Sequence, residues 1–362
     1  MHDPTLTRHF PHLSVLALRS AGDAGDALLE IQAPIRRLTL DFDEVDDELE
    51  DSDEDPPDVF SLLPPFQETL DRLAVNNGWL EHVLGGEVYG RLFCLQMQNT
   101  FIPPVGRLVR AFPNLQRLEA LFCFTNEDPD QFRVSNELSQ LLGNTWRHLD
   151  VIAVHRPDFL YGLALGCTTR CIAFEIIDDR DEAEKAAELF AVLQPTSLRL
   201  GSRSIQGLRE VLTPILAKAA LSVFALHIIV DMALEGGQAP TVIDVSIDRV
   251  FAASSTMRLT HFMLTVCAPQ VRNRSALSAQ ELHIRDYDLS ELARRAMVIF
   301  PSLEFARFCF SRQDVSYWRV TRMSRPRTAQ RQLEAISQAE GDIVTREIFP
   351  IPSHAEAAFF KE

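Results

Sequence analysis

Residues able to do chemistry are few and scattered in this chain of 362 residues. Familiar catalytic routes use a glycine-rich phosphate loop, a Gly-x-Ser-x-Gly nucleophile turn or a His-Glu-x-x-His zinc site, and none occurs. The chain is therefore read as non-enzymatic, with no catalytic residue and no cofactor. Cys167 and Cys171 are separated by three residues, but no second ligand pair at zinc-site spacing accompanies them, so no metal is expected. Cys123 and Cys267 each follow the last apolar position of a strand by three residues, where a repeat protein places Asn or Cys to hydrogen-bond turn backbone. Ser52 leads into Asp53-Glu54-Asp55, the context of an acid-directed kinase, where phosphate would add roughly −1.5 to −2 charge. The same stretch also reads as a solvated spacer.

A larger group recurs at one phase of a two-residue alternation: Arg117, His148, Arg199, His227, His261, His283, Arg285 and Arg307, with Arg19, Arg37 and Arg72 before them. Acids at that phase are fewer: Asp41, Glu119, Asp150, Glu175 and Glu281. Arginine offers a planar, bidentate fork and an aromatic-stacking surface, so these positions predict a face for an acidic or aromatic-bearing protein segment. A solvated sheet face in an arginine-rich protein is the alternative.

What must position these residues is a repeat. A Leu-x-x-Leu-x-Leu signature recurs, clearest at Leu13/Leu16/Leu18, Ile35/Leu38/Leu40, Leu70/Leu73/Val75 and Leu92/Leu95/Met97. Degenerate copies start at Leu115, Trp146, Thr169, Pro195, Leu221, Leu259, Ala279 and Leu303, for about twelve units. Alternating apolar residues turn one face of a short strand inward, and stacking neighbours bury it. Helical stretches are expected between strands at Pro103–Phe112, Asp179–Leu193, Ser204–Ala220, Val242–Phe251 and Asp288–Phe300. The last opens Asp288-Leu289-Ser290-Glu291, a helix-start signature. The expected fold is an α/β leucine-rich-repeat solenoid, with parallel strands lining a concave inner face and helices outside. It spans 1–320, with a cap and tail at 321–362.

Net charge is −16, yet the stretch 41–58 holds twelve acidic residues and no Lys or Arg, and is read as a disordered insertion. Without it the charge is −4 over 344 residues, ordinary for a soluble domain. A polyanion such as nucleic acid is not the expected partner. The insertion could fold back over the arginines at 319–331 or over the concave face, masking it. Six cysteines without a regular framework and no secretory signal at the N-terminus suit the cytoplasm or nucleus. The most apolar window, Ala219–Leu234, is broken by His227 and Asp231 and is read as core, so no membrane partner is expected. Three lysines stand beside 32 arginines. Scarcity of ubiquitin-acceptor amines and base composition of the gene both account for that.

The phrases Phe112-Pro113-Asn114-Leu115-Gln116-Arg117-Leu118, Phe300-Pro301-Ser302-Leu303-Glu304-Phe305 and Tyr317-Trp318-Arg319-Val320 resemble the F-box and leucine-rich-repeat-like proteins of mushroom-forming fungi. In that family an F-box docks to a cullin-type ubiquitin ligase while the repeats select substrates. This chain opens on Phe10-Pro11-His12-Leu13, already a repeat, without a Leu-Pro-x-Glu-Ile-Leu-like segment. The resemblance therefore implies the substrate-binding half, with ligase recruitment in doubt. A free-standing interaction scaffold or inhibitor-like binder is the alternative.

Overall fold

The computed structural model describes residues 14–19, 28, 31, 33–42, 58–80, 87–125, 127–176, 180–202, 208–231, 241–267, 279–311, 313–325 and 328–350. The fold is an α/β solenoid of the leucine-rich-repeat kind, built of two compact units that divide near residues 155–169.

In the first unit, strands β1 (Val15–Arg19), β2 (Arg37–Asp41), β3 (Arg72–Asn76), β4 (Cys94–Gln98), β5 (Arg117–Leu121) and β6 (His148–Val154) pair in parallel and in sequence order. The repeat dictates the register: Leu16, Leu38, Leu73, Leu95, Leu118 and Ile152 form one row, and Leu18, Leu40, Val75, Met97, Ala120 and Val154 the next. From β2 to β6 these residues are 0–2% exposed. Each is worth about 1.5–3 kcal/mol when a large aliphatic side chain leaves water. Helices α1 (Val59–Leu62), α2 (Val105–Ala111), α3 (Pro129–Leu141) and α4 (Pro157–Leu163) connect the strands.

Successive strands end in the same turn. Asn77, Asn99 and Phe122 take φ of 54°, 46° and 52°, and the Asn77 and Asn99 amides donate to the carbonyls of Gln98 and Leu121 on the following strands. The next position then supports the turn. Thr100 Oγ1 donates to the carbonyls of Gln98 at 2.8 Å and Val75 at 3.3 Å, and Cys123 Sγ reaches those of Leu121 at 3.6 Å and Met97 at 3.7 Å. Cys123 therefore has the structural role its position predicted. Gly78 fills this place one repeat earlier, where a Cβ would come within 2.9 Å of Val75 and Phe42 side-chain atoms.

In the second unit β7 (Thr168–Ile176), β8 (Ser197–Ser202), β9 (Ala225–Asp231), β10 (His261–Cys267) and β11 (Phe305–Phe310) are parallel. β12 (Ser316–Arg325) and β13 (Thr328–Ile336) then close the edge as an antiparallel hairpin. Helices α5 (Arg180–Leu193), α6 (Leu208–Ala219), α7 (Thr241–Ser254), α8 (Ala279–Arg285) and α9 (Leu289–Ile299) precede a final α10 (Gln338–Ile348). Core rows Ile172/Leu198/Leu226/Phe262/Ala306 and Phe174/Leu200/Ile228/Leu264/Phe308 face the repeat helices, with Phe174 6.3 Å from Phe190 and Phe262 5.5 Å from Phe251. At α9, Asp288 Oδ1 accepts from the Ser290 and Glu291 amides at 2.9 and 3.1 Å, as its N-cap position predicts.

Three degenerate copies need correction. Neighbouring strands align with Ile152/Val154 and not Leu149/Val151, and with Leu226/Ile228 and not Phe224/Leu226. The copy at Ala279 is not a strand: Ala279-Gln280-Glu281-Leu282 is made of strong helix formers and becomes α8, with Leu282 38% exposed and Glu281 buried. Eleven repeat strands are therefore present among the described residues. The β12–β13 hairpin and α10 occupy a stretch where the repeat signature had ended, and most of the acidic insertion, 43–57, lies outside the described residues.

Candidate protein-binding faces

In each unit, on the face of the strands opposite the repeat helices, the residues alternating with the core form rows across strands. In the first unit the leading row is Val15, Arg37, Arg72, Cys94, Arg117 and Val151. Arg37 and Arg72 sit on adjacent strands and are exposed, with the Arg72 guanidinium 5.2 Å from the Phe93 ring centroid. Just ahead of the strands, Arg36 Nε donates to Asp71 Oδ2 at 2.6 Å and Arg91 Nε to Asp71 Oδ1 at 3.4 Å. Arg117 differs: it is ion-paired with Glu119, which is 3% exposed and accepts from Gln96 Nε2 at 2.8 Å. Buried beside it, the Cys94 thiol is pushed up to about 11, chiefly by desolvation.

His148 is not part of this row. The β5–β6 pairing sets Val151 opposite Arg117 and Ala153 opposite Glu119, so His148 and Asp150 precede the paired stretch. His148 shares hydrogen bonds with Thr168 Oγ1 at 3.1 Å and Asp150 Oδ1 at 3.2 Å.

In the second unit one row reads Ala173, Arg199, His227, Met263 and Arg307, so three of the predicted residues come together. They do not line an open surface, since Arg199 and His227 are each 2% exposed and Arg307 is half-buried. His227 shares a 3.0 Å hydrogen bond with Thr265 Oγ1. Burial holds its pKa well below the ordinary value, and the positive charges of Arg199 and Arg307 add to the effect, so it is neutral at pH 7. His261, one row away, has its pKa lowered by burial against an opposing pull from Glu304, and its ring lies 5.9 Å from that of Phe305. His283 and Arg285 lie on α8 and not on a strand: His283 contacts Asp244 of α7 at 3.3 Å, and Arg285 pairs with Asp286. Their place in the predicted face fails with the helix assignment.

What sequence reasoning missed is α10. It lies over the second unit's inner face: Gly341 is set against the Tyr317 ring, Asp342 bonds the Tyr317 hydroxyl and Glu340 pairs with Arg319. At its far end Arg170 Nη1 donates to the Glu347 carbonyl at 3.0 Å, and Phe349 meets the His227 ring edge-on at 5.7 Å. A signal existed in Ser337-Gln338-Ala339-Glu340, whose Ser337 Oγ accepts from the Glu340 amide at 3.3 Å. Arg331 donates to the carbonyls of Met297, Phe300 and Leu303. Neither Arg319 nor Arg331 therefore stands ready for the acidic insertion.

Cys167 and Cys171 are both buried, and desolvation raises the Cys167 thiol to about 11, leaving it protonated and a poor nucleophile. No group of three His, Cys, Asp or Glu side chains able to hold a metal occurs among the described residues, nor any helix long and apolar enough to cross a membrane. Ser52 lies outside the described residues. Set against protein-family models, curated proteins and solved structures, the chain matches none.

Proposed function

We propose that the chain is a non-enzymatic protein-recognition module, working in the cytoplasm or nucleus, whose first-unit inner face takes an acidic segment of a partner protein. The observation that carries this reading is the pair Arg37 and Arg72, exposed on adjacent strands and opposite one another in register. Strand spacing holds the two guanidinium stems about 4.8 Å apart at the backbone. Their planar forks offer bidentate sites to successive carboxylates. Exposed Val15 and Ala17 on β1 border them with apolar surface suited to an aromatic side chain.

The link to ubiquitin ligation comes from the resemblance to F-box repeat proteins, in which such a face selects substrates. A free-standing scaffold or inhibitor-like binder would use the same face without a cullin adaptor. Co-expression with a cullin adaptor separates them, since only the ligase-linked form co-elutes with it. Recognition itself is tested with fluorescein-labelled 15-residue peptides rich in Asp and Glu and carrying one Tyr. Arg37→Ala with Arg72→Ala should weaken binding at least about tenfold, equivalent to roughly 1.4 kcal/mol. Equal binding by the wild-type chain and the variant rejects the reading.

A further inference from the structure

The inner face of the second unit carries its own occupant, and the way α10 is seated shows what else would fit. Three contacts join acidic or carbonyl groups of α10 to groups on the sheet: Glu340 to Arg319, Asp342 to the Tyr317 hydroxyl and the Glu347 carbonyl to Arg170. The last places the negative end of the helix dipole on a guanidinium. Phe349 supplies an aromatic anchor on His227.

The seating is sparse. Within α10 the single buried residue is Gly341, and Ile343 is 51% exposed. Beside Val344 lies an open cavity of about 370 Å³ lined by His261, Leu303, Glu304, Phe305, Arg319 and Val320. Eleven residues are too few for a helix stable in isolation, and the Arg319–Glu340 pair is about half exposed on both sides. Weakly held elements over charged surfaces are the ones that open first.

We propose that this face is a second docking surface, for an acidic helical segment with an aromatic residue at its C-terminal end, supplied by a partner protein and kept out by α10 acting as a strap. The incoming helix replaces α10, setting its carboxylates on Arg319 and Tyr317, its C-terminal carbonyls on Arg170 and its aromatic ring on His227. The cavity leaves room for side chains bulkier than Val344. This inference stands independently of Arg37 and Arg72, which lie in the first unit.

The test uses the full chain and a labelled peptide copying residues 337–350. Two variants open the strap from opposite ends: Gly341→Val, whose side chain would overlap the Tyr317 ring, and Phe349→Ala. Amide exchange over 338–348 reports opening, while exchange in β7–β11 reports an intact sheet. The expected result is that the wild-type chain excludes the peptide and an opened variant binds it at least about tenfold more tightly. Adding Arg170→Glu and Arg319→Glu should then abolish the gain. The proposal is overturned if an opened variant with an intact sheet gains no affinity, or if the wild-type chain binds as well as the variant. Self-association of the opened chain through exchanged α10 helices, seen by size-exclusion chromatography, would make this an assembly face and also overturn it. Arg37→Ala with Arg72→Ala must leave peptide binding unchanged, and a loss there would place the peptide on the first unit.

Discussion

The two units present the same kind of inner face in opposite conditions. In the first, Arg37 and Arg72 at the starts of β2 and β3 are exposed beside small or polar residues such as Ala17, Thr39 and Ala74. In the second, a row holding Arg199, His227 and Arg307 is buried or half-buried, and the chain's own α10 and Phe349 lie over that face. Strand geometry and alternation are alike, so neither explains the difference. The second unit's face carries α10 and Phe349, and under the proposed function the exposed guanidiniums of Arg37 and Arg72 serve recognition while the buried one of Arg199 serves structure.

Truncating those arginines breaks the comparison most strongly. Arg199→Ala removes a buried charged group and should destabilise the second unit by about 3 kcal/mol. Arg72→Ala, on the surface, should stay within about 0.5 kcal/mol. Urea unfolding curves of the two variants check this, and equal shifts would erase the distinction.

Next comes Gly78→Val, which forces a side chain against Val75 and Phe42 under the first unit's turn. Overpacking of this kind costs about 1–3 kcal/mol. A thermal melt reads it, and the fall should leave amide exchange in β8–β10 unchanged.

Acid separates the units in another way. Because the folded pKa of His227 is depressed, the unfolded chain takes up a proton below about pH 6.5 that the folded chain refuses. Stability therefore falls as pH drops below that value, by up to about 1.4 kcal/mol per pH unit from this residue, and is insensitive to it above. His227→Gln should flatten that part of the pH–stability curve, measured by denaturation between pH 5 and pH 7.

Much of this architecture was legible in the leucine spacing, because a period of two on a strand and the burial of one face are local facts. The registers of β2–β5, β7, β8, β10 and β11 follow the apolar positions that the repeat marks, and Asp288 and Cys123 are where their spacing put them. In β9 the marked pair Phe224/Leu226 is displaced by two residues, because Leu226 and Ile228 pair with Leu198 and Leu200 while Leu221 and Phe224 are exposed. Three further features escaped for physical reasons. Ala279–Arg285 carries an apolar alternation on helix-forming residues, and propensity won. In β6 two overlapping apolar pairs, Leu149/Val151 and Ile152/Val154, offered competing registers, and the second pairs with Leu118 and Ala120. The burial of His227 depends in part on Phe349, more than a hundred residues further along the chain, a contact no local pattern encodes.

A smaller effect sharpens the strap itself. Ser337→Ala removes the α10 N-cap and should cost that helix about 1 kcal/mol. The change should appear as faster amide exchange over 338–348 while the global melting point stays fixed.

Arginine-selective modification with phenylglyoxal, read residue by residue by mass spectrometry, tests the central contrast most directly. Arg37 and Arg72 should react quickly and Arg199 slowly, and an acidic 15-residue peptide should slow the first two alone. Reaction of Arg199 as fast as that of Arg72, or no protection of Arg37 and Arg72 by the peptide, would contradict the account.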